Sequence, residues 1–350
     1  MLIDIALYYV GGRGGVETVT TKISEGLRKK GHRVRVMMAY APPYVKWIDS
    51  LEEVYYYGNG IESESYENLG EGYRHLMEKI GYPDVCIAGH IPSQSYICSL
   101  GLNSARTDKK IPILSWLHGD INIYRDPYLI TYAKAHLAIS SAVSDGIRSY
   151  DKGKNIYLVN NPISIKKGNI IKRPQDGIFK ILSIGRLEEE KNLFMLLHAL
   201  NKINGKWKAT IIGDGSKRKV LESAAEILRI NENISWSGWK EDPWESVEEA
   251  SICISTSNTE GFAMVLAEAL SKGIPVISTR CGGPMDIVQD GINGWLVDKN
   301  DYFKVAEIIN NIITNKIALP LQQVCISSVE KFSDDIVISN IESAIIKELE

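Results

Sequence analysis

Two glutamates lie eight positions apart around the predicted start of a helix, and their carboxylates could hold sugar hydroxyls. Glu260 follows a strand-like run at 251–255, and the residues from Ala263 onwards are mostly good helix formers, with Glu268 among them. At a rise of about 1.5 Å per residue, the carboxylates would flank the helix N-terminus about 10 Å apart. Because free N–H groups at a helix N-terminus attract phosphate, the arrangement suits a nucleotide-sugar, in which a diphosphate joins two polyhydroxyl groups.

Two cations occupy the loop that follows the first predicted strand of the second half of the chain. Arg186 and Lys191 lie five positions apart within residues 185–192, after the strand at 179–184. Loops at the carboxyl ends of parallel strands are where α/β sheets bind ligands. A guanidinium and an ammonium both suit phosphate oxygens, so the pair would neutralise the charge of a departing diphosphate. The alternative is a loop of internal salt bridges with the acidic residues 188–190.

These patterns resemble the donor-binding half of the retaining glycosyltransferases with the GT-B fold, family four in particular. Glu260 and Glu268 are similar to that family's E-x7-E motif, and residues 185–192 resemble its G-R-L-x3-K-G/N loop. The succession at 271–297 resembles the family as well, although Asp286 stands where the family more often has Glu. The resemblance implies an α/β protein of the GT-B fold, with two Rossmann-like domains whose parallel sheets face each other across a cleft.

The resemblance also implies which residues bind the donor. Glu268 would hold the ribose, while Arg186, Lys191 and the helix N-terminus would hold the diphosphate. Glu260 and His118 would lie near the donor sugar and complete the implied catalytic set with the two cations. The further residues implied to contact the donor are Gly14, Gly15, Gly185, Trp239, Gly261, Phe262, Ala263, Met264, Val265 and Leu266.

The N-terminal half resembles the family mainly at a glycine loop and at the dipeptide His118-Gly119. The glycines of residues 11–17 let backbone N–H groups approach a ligand, and an ordinary tight turn is the alternative. Asp120 would bind the acceptor or accept its proton, or else cap a helix. Trp239 would lie beside the nucleotide base, or else pack in the core or at an interface. Structural roles are assigned to the other histidines, His32, His75, His90, His136 and His198.

Strand and helix patterns alternate through both halves, which indicates parallel α/β layers. Strands are predicted at 3–10, 33–39, 85–89, 113–117, 136–140, 156–159, 179–184, 209–212, 252–255 and 275–278, and helices at 17–30, 70–80, 301–314 and 334–350. We predict a Rossmann-like acceptor-side domain at 1–165, a linker at 166–177 and a nucleotide-sugar-binding domain at 178–326. The resemblance implies that the last segment, 327–350, forms a helix that crosses back to the N-terminal domain.

The bulk composition narrows the class of protein. A chain of 350 residues is too long for one hydrophobic core, so two domains are expected. The five cysteines are odd in number and lack paired spacing, which argues against a disulfide framework or a zinc site and favours a reducing cytoplasm. The net charge of −3 and the lack of a basic–aromatic module argue against nucleic-acid binding. Residues 1–7 are predicted as a first strand, not a signal peptide.

Donor, acceptor and location are further implications of the resemblance. Residues 260–264 and 281–287 look most like lipopolysaccharide-type galactosyl- or glucosyltransferases, which implies a UDP-sugar donor and a glycan, glycolipid or cell-surface polymer acceptor. No divalent metal or other cofactor is expected, because Arg186 and Lys191 take the role of a metal and the chain has no Asp-x-Asp. The basic segment 28–35 is either a helix end followed by a strand, or a patch for peripheral contact with anionic lipid at the inner membrane surface.

Two other functions are compatible with the same residues. A UDP-sugar 2-epimerase of the GT-B fold would need no acceptor, although it would need cleft carboxylates that the sequence does not place. A non-catalytic nucleotide-sugar-binding scaffold subunit would keep the site without turnover. Substitution of Lys191 by Ala distinguishes these functions, because an enzyme would lose turnover while a scaffold would keep partner binding.

Overall fold

The computed structural model of the chain describes residues 1–8, 11, 14–60, 64–103, 110–165 and 170–350. These residues form two compact units. The first contains Met1–Pro162 together with Phe332–Glu350, and the second contains Ile163–Lys331. Of the predicted linker, residues 166–169 lie outside the described residues, whereas Ile171 donates its N–H to the carbonyl of Lys272 in the second unit at 3.0 Å. Of the predicted C-terminal segment 327–350, residues 332–350 belong to the unit that the N-terminal half forms.

The first unit is built on a parallel sheet of seven strands. They are β1 (Leu2–Leu7), β2 (Arg33–Met38), β3 (Val54–Tyr56), β4 (Val85–His90), β5 (Ile113–Leu117), β6 (Ala135–Ala138) and β7 (Ile156–Leu158). Their order in the sheet is β3-β2-β1-β4-β5-β6-β7, with parallel pairing throughout. β3, a strand of three residues, was not predicted from the sequence.

The second unit is built on a parallel sheet of six strands. They are β8 (Phe179–Ile184), β9 (Trp207–Ile212), β10 (Ile234–Gly238), β11 (Ile252–Ser255), β12 (Val276–Thr279) and β13 (Gly294–Val297). Their order is β10-β9-β8-β11-β12-β13, again parallel throughout. The two edge strands, β10 and β13, were not predicted, since each is short and mixes glycine with tryptophan. The two sheets confirm the predicted α/β class with two Rossmann-like domains.

Helices connect the strands in both units. They are α1 (Gly15–Lys29), α2 (Tyr66–Ile80), α3 (Ser93–Asn103), α4 (Ser141–Tyr150), α5 (Leu193–Leu200), α6 (Arg218–Ile227), α7 (Met264–Ser271), α8 (Pro284–Ile287), α9 (Tyr302–Ile313), α10 (Gln322–Ser328) and α11 (Asp334–Leu349). Such crossover helices are what parallel pairing of successive strands requires. Within the described residues, no helix combines the length and the apolar character needed to cross a bilayer.

A buried ion pair joins the first two strands of the first unit. Arg35 on β2 donates to Asp4 on β1 from Nε at 2.7 Å and from Nη2 at 3.0 Å, and both side chains are fully buried. Tyr73 on α2 adds a hydroxyl donor to Asp4 at 3.0 Å, and Arg35 also donates to the carbonyl of Gly81. Burial raises the pKa of Asp4 to about 6, although Arg35 and Tyr73 act in the opposite direction. The carboxylate is therefore ionised at neutral pH and fixes α2 against the sheet.

The C-terminal helix α11 packs against α1 within the first unit. Its Glu342 lies 2.7 Å from Nζ of Lys30 and 2.8 Å from Nε2 of His32. Gly26 of α1 allows the two helices to approach closely, because a Cβ at that position would lie 2.0 Å from Cδ1 and 2.8 Å from Cγ1 of Ile338. Packing and charge thus both attach the last helix to this unit.

The basic segment 28–35 is largely neutralised by acidic residues of the first unit. Arg28 pairs with Glu52, and Nε of Arg33 lies 2.6 Å from Oε1 of Glu53. Lys30 pairs with α11 and Arg35 pairs with β1, so two more charges of the basic segment are neutralised. These contacts agree with the interpretation of the segment as a helix end followed by a strand.

We expect Asp4→Ala to lower the free energy of unfolding by about 3–5 kcal/mol, because it leaves Arg35 buried without a counter-charge. Urea denaturation followed by circular dichroism measures this loss. Arg33→Ala removes an exposed cation from β2, the strand that carries Arg35, and is the matched control. We expect it to change the free energy of unfolding little. Equal losses in the two variants would contradict a particular role for the buried pair.

Candidate functional site

Four of the predicted residues of the second unit meet where the strand order of its sheet reverses, namely Gly185, Arg186, Lys191 and Glu260. β8 and β11 are neighbours, while β9 and β12 continue from them in opposite directions. The loops after β8 and β11 therefore diverge and leave a crevice at the carboxyl ends of the strands, where open α/β sheets bind ligands. Residues of both loops and of the adjoining strands line the crevice, among them Ser183, Gly185, Arg186, Lys191, Thr256, Ser257 and Glu260.

An ion pair between Lys191 and Glu260 links the two loops. Nζ of Lys191 lies 2.7 Å from Oε1 of Glu260, and the side chains are mostly buried, with exposed fractions of 22% and 13%. Ser257 donates its hydroxyl to the same oxygen at 2.7 Å, and its Oγ lies 3.2 Å from that of Ser255. Sequence analysis placed Lys191 and Glu260 in one site but missed Ser257, whose only signal is its position three residues before Glu260.

Backbone contacts hold the same two loops together. Thr256 donates its hydroxyl to the carbonyls of Lys191 at 3.2 Å and of Asn192 at 3.0 Å. The N–H of Asn258 donates to the carbonyl of Glu190 at 2.7 Å. Asn192 adopts a left-handed conformation with φ of 46°, which asparagine tolerates better than most residues. These contacts fix the backbone from which the Lys191 side chain extends.

Arg186 is more exposed than Lys191. Its side chain is 67% exposed, and its Nη2 lies 2.7 Å from Oε1 of Glu190. Glu188 instead accepts a hydrogen bond from the N–H of Ser216 at 2.8 Å. The alternative of salt bridges internal to the loop therefore describes Arg186 but not Lys191. Because an exposed ion pair contributes little stability, Arg186 can exchange Glu190 for an anionic ligand at a small cost in free energy.

A glycine turn after β9 packs against the loop that carries the two cations. Gly213 has φ of 145°, and a Cβ at this position would lie 1.8 Å from the carbonyl oxygen of Gly185. A Cβ at Gly215 would lie 2.5 Å from the carbonyl oxygen of Leu187. Only glycine permits this close backbone support.

The segment between the two glutamates changes direction just before α7. Ala263 has φ of 70° and precedes the first helical residue, Met264, one position later than predicted. Gly283 packs against this turn, since a Cβ there would lie 2.3 Å from Cα of Phe262, and its N–H donates to the carbonyl of Glu260 at 3.1 Å. The turn directs the carboxylate of Glu260 into the crevice while α7 continues away from it.

The predicted donor-binding residues of this segment differ in exposure. Phe262, Ala263 and Leu266 are buried, and Leu266 donates its N–H to the carbonyl of Ala263 at 3.0 Å. Those that stay partly exposed, and that a ligand can reach, are Gly261, Met264 and Val265.

Glu268 lies farther along α7 and contacts a residue that sequence analysis did not single out. Nε1 of Trp244 donates to Oε2 of Glu268 at 2.9 Å. Trp244 begins a short 3-10 turn after β10, and neither its spacing nor its surroundings in the sequence indicated a partner on α7. Trp239, which was predicted to lie beside the base, in the core or at an interface, is 40% exposed and so is not a core residue.

His118 follows β5 in the first unit, with its ring 4.0 Å from that of Trp116. Its Nε2 is buried and has no hydrogen-bond partner within the described part of the chain. Burial, with a smaller contribution from nearby His90, lowers the pKa of His118 to about 3, so the imidazole is neutral at physiological pH. His90 ends the neighbouring strand β4 with φ of 81°, and its Nδ1 is likewise buried without a described partner. Sequence analysis assigned His90 a structural role and missed this proximity.

The remaining predicted residues of the first unit lie at helix starts. Gly14 precedes α1 and donates its N–H to Oε2 of Glu17 at 3.0 Å, and Gly15 is the first residue of that helix. The loop residues 12–13 lie outside the described part of the chain. Asp120 accepts a hydrogen bond from the N–H of Asn122 at 3.0 Å, so it caps a short turn as the alternative interpretation expected. Across the described ranges, no group of three His, Cys, Asp or Glu side chains could hold a metal ion.

Family profiles match nearly the whole chain in two parts. The profile described as Glycosyltransferase Family 4 matches residues 13–167, and the one described as Glycosyl transferases group 1 matches residues 169–332. The lipopolysaccharide 1,6-galactosyltransferase of Salmonella typhimurium is 29% identical over 361 residues, which include 97% of each chain. The protein of that name from Escherichia coli is 33% identical over 244 residues, 66% of this chain and 67% of that protein.

Solved structures share the fold over the full length. The apo form of the lipopolysaccharide outer core galactosyltransferase WaaB superposes with a TM-score of 0.86 and 25% identity, covering 99% of this chain and 100% of that one. Alr3699/HepE of Anabaena, solved with UDP and glucose, superposes with a TM-score of 0.81 and 19% identity, covering 98% of this chain and 99% of that one.

We expect acid to destabilise the protein partly through His118. The folded state keeps its pKa at about 3, whereas an unfolded chain binds a proton near pH 6.5, so stability is lost as the pH falls from about 6.5 towards 3. His118→Asn removes this linkage, and its free energy of unfolding should fall less between pH 7 and pH 4.5. Urea denaturation at several pH values measures the slopes, and the exposed His75→Asn is the control that should keep the wild-type slope. A wild-type slope in His118→Asn would contradict the prediction.

Proposed function

Since this chain belongs to the group 1 and family 4 glycosyltransferases, we propose that it moves a hexose from a UDP-sugar to a cell-surface glycan with retention of configuration. The observation that carries the proposal is the ion pair of Lys191 with Glu260 at the strand-order reversal of the second sheet. It places a cation for a diphosphate next to a carboxylate for a sugar, in a crevice of the kind that binds nucleotides. Arg186 and Glu268 lie in the same unit, on either side of that pair along the chain.

The diphosphate would bind the two cations. Lys191 is mostly buried, so its charge acts in a medium of lower dielectric constant than water. Its attraction for a phosphate is stronger there than in water. Arg186 is exposed, and its planar fork can bind two phosphate oxygens at once. These charges stabilise the UDP that departs, which is the role a metal ion has in other transferases, and we therefore propose that no divalent metal is required.

Glu260 would accept a hydrogen bond from a hydroxyl of the donor sugar. Lys191 and Ser257 both contact its Oε1, which orients the carboxylate towards the crevice. We do not assign Glu260 as a nucleophile. We favour attack of the acceptor on the face from which UDP departs, with the leaving phosphate taking the acceptor's proton. His118 stays a prediction as a neutral hydrogen-bonding group for a sugar hydroxyl.

The relatives support a hexose donor and a lipid-linked acceptor. Two of them are named as lipopolysaccharide 1,6-galactosyltransferases, and one of these matches 97% of this chain. We propose UDP-galactose or UDP-glucose as the donor and a lipopolysaccharide core or a related surface glycan as the acceptor. Such an acceptor would place the protein at the inner face of the membrane.

Donor binding and turnover test the proposal together. We expect the EDTA-treated protein to bind UDP in calorimetric titrations, and Arg186→Ala to weaken that binding. With UDP-galactose or UDP-glucose and a panel of truncated lipopolysaccharide cores, Lys191→Ala should lower kcat by about 10²–10³-fold, because a preorganised charge at the leaving group is lost. Lys208→Ala removes a lysine that contacts the carbonyl of Glu232 on the same unit and is the matched control.

The outcomes separate the proposed function from the alternatives. A scaffold subunit would be indicated if the protein binds the UDP-sugar but transfers the sugar to no acceptor. In that case Lys191→Ala would leave the binding of partner proteins unchanged. Conversion of the UDP-sugar to its 2-epimer in the absence of acceptor would indicate an epimerase. The absence of binding to UDP, GDP or ADP in a folded sample would exclude the donor site.

We expect product made from an α-linked UDP-hexose to be α-linked, and the rate in EDTA to equal the rate in magnesium or manganese. The anomeric coupling constant in the proton NMR spectrum of the product measures the first, and initial rates measure the second. A β-linked product would contradict retention. A rate lost in EDTA and restored by metal would contradict the role given to Arg186 and Lys191.

A further inference from the structure

Trp244 contacts Glu268 of α7 and Lys272, the residue that follows the end of that helix. Its indole Nε1 donates to Oε2 of Glu268 at 2.9 Å. Its ring also lies beneath the ammonium of Lys272, with Nζ 5.3 Å from the ring centroid. Residues four positions apart lie on the same face of a helix, so the indole rests along that face and holds the Glu268 side chain against it.

The turn that carries Trp244 is itself ordered by local hydrogen bonds. The side chain of Asp242 accepts from the N–H of Trp244 at 2.9 Å. The N–H of Val247 donates to the carbonyl of Trp244 at 3.2 Å, and the hydroxyl of Ser246 donates to the carbonyl of Pro243 at 2.8 Å. The indole is therefore presented from a fixed backbone, and Trp244 is half-buried in this position.

A hydrogen bond from a fixed donor limits the rotation of a glutamate side chain. Glutamate has three rotatable bonds, and a ligand that immobilises them must offset the loss of rotamer freedom. Because Glu268 is already held at Oε2, that loss is incurred on folding and not on ligand binding. A carboxylate oriented in this way binds a hydroxyl more tightly than a freely rotating one.

We propose that Trp244 is a positioning residue that orients Glu268 for the ribose hydroxyls of the donor nucleotide. The inference rests on the proposed function, in which Glu268 binds the ribose. Trp244 acts only through the carboxylate and does not itself touch the diphosphate or the transferred sugar. It is thereby a determinant of the preference for a ribonucleotide over a nucleotide without ribose hydroxyls.

Trp244→Phe tests this, because phenylalanine keeps an aromatic ring near Lys272 and removes the N–H donor together with part of the indole. We expect the full-length variant to bind UDP about five- to tenfold more weakly than wild type in calorimetric titrations. Binding of 2′,3′-dideoxy-UDP, which offers Glu268 no ribose hydroxyl, should be equal in the two proteins within about a factor of two.

Trp236→Phe is the matched control, because it removes an indole N–H that is bonded to Asn231, away from α7. It should bind both nucleotides as wild type does. If Trp244→Phe weakens the binding of UDP and of dideoxy-UDP equally, the proposal is overturned. Trp244 would then only stabilise the loop that carries it. Unchanged binding of UDP would overturn the proposal as well.

A second measurement keeps the test independent of small changes in folding. Glu268→Gln and the double variant with Trp244→Phe complete a cycle with wild type, and we expect the two losses in UDP affinity to be far from additive. Additive losses would contradict action through Glu268. Failure of wild type to bind UDP at all would reject the donor site itself, whereas normal binding by wild type with an unaffected Trp244→Phe would reject only the positioning role.

Discussion

The second unit depends on one ion pair that spans the point where its strand order reverses. Lys191 belongs to the loop after β8 and Glu260 to the loop after β11, and these loops diverge from neighbouring strands. A diverging pair of loops leaves two charged groups facing each other across a crevice, and each would be costly to bury alone. Their mutual attraction, with the hydroxyl of Ser257, holds both groups in the lining of the crevice.

Close backbone contacts give this pair its rigidity. Gly213 lies against Gly185, and Gly283 lies against Phe262, at distances that a Cβ would prohibit. The loop with the cations and the turn before α7 are thus supported by main chain instead of by flexible side chains. A site that must stabilise a short-lived charge benefits from such support, because its groups need no reorganisation when the charge develops.

Charges in the first unit serve mainly to assemble it. Asp4 and Arg35 join two strands in the core, and Glu342 on the last helix pairs with the end of α1. At the end of β5, by contrast, the side chain of His118 is neutral, and its Nε2 is buried without a described partner. Nδ1 of His90, at the end of the neighbouring strand β4, is also buried without a described partner. An unsatisfied polar atom in a buried position is unfavourable unless something binds there.

The sequence by itself determined the α/β class and most strands, and it predicted a ligand site that includes Arg186, Lys191, Glu260 and Glu268. Periodicity, glycine loops and charged residues at strand ends are local features, and local features can be recognised without knowing which strands are neighbours. Three short edge strands, β3, β10 and β13, were missed because pairing, not composition, makes them strands, whereas the fourth edge strand, β7, was predicted.

Tertiary structure decided which groups touch. Glu260 contacts Lys191, 69 positions away, whereas Arg186 contacts Glu190 in its own loop. Trp244 reaches Glu268 and His90 lies near His118 only because the fold brings the ends of separate strands to one edge. Such contacts leave no periodic trace in the sequence, since they depend on strand order and on the direction in which each loop leaves the sheet.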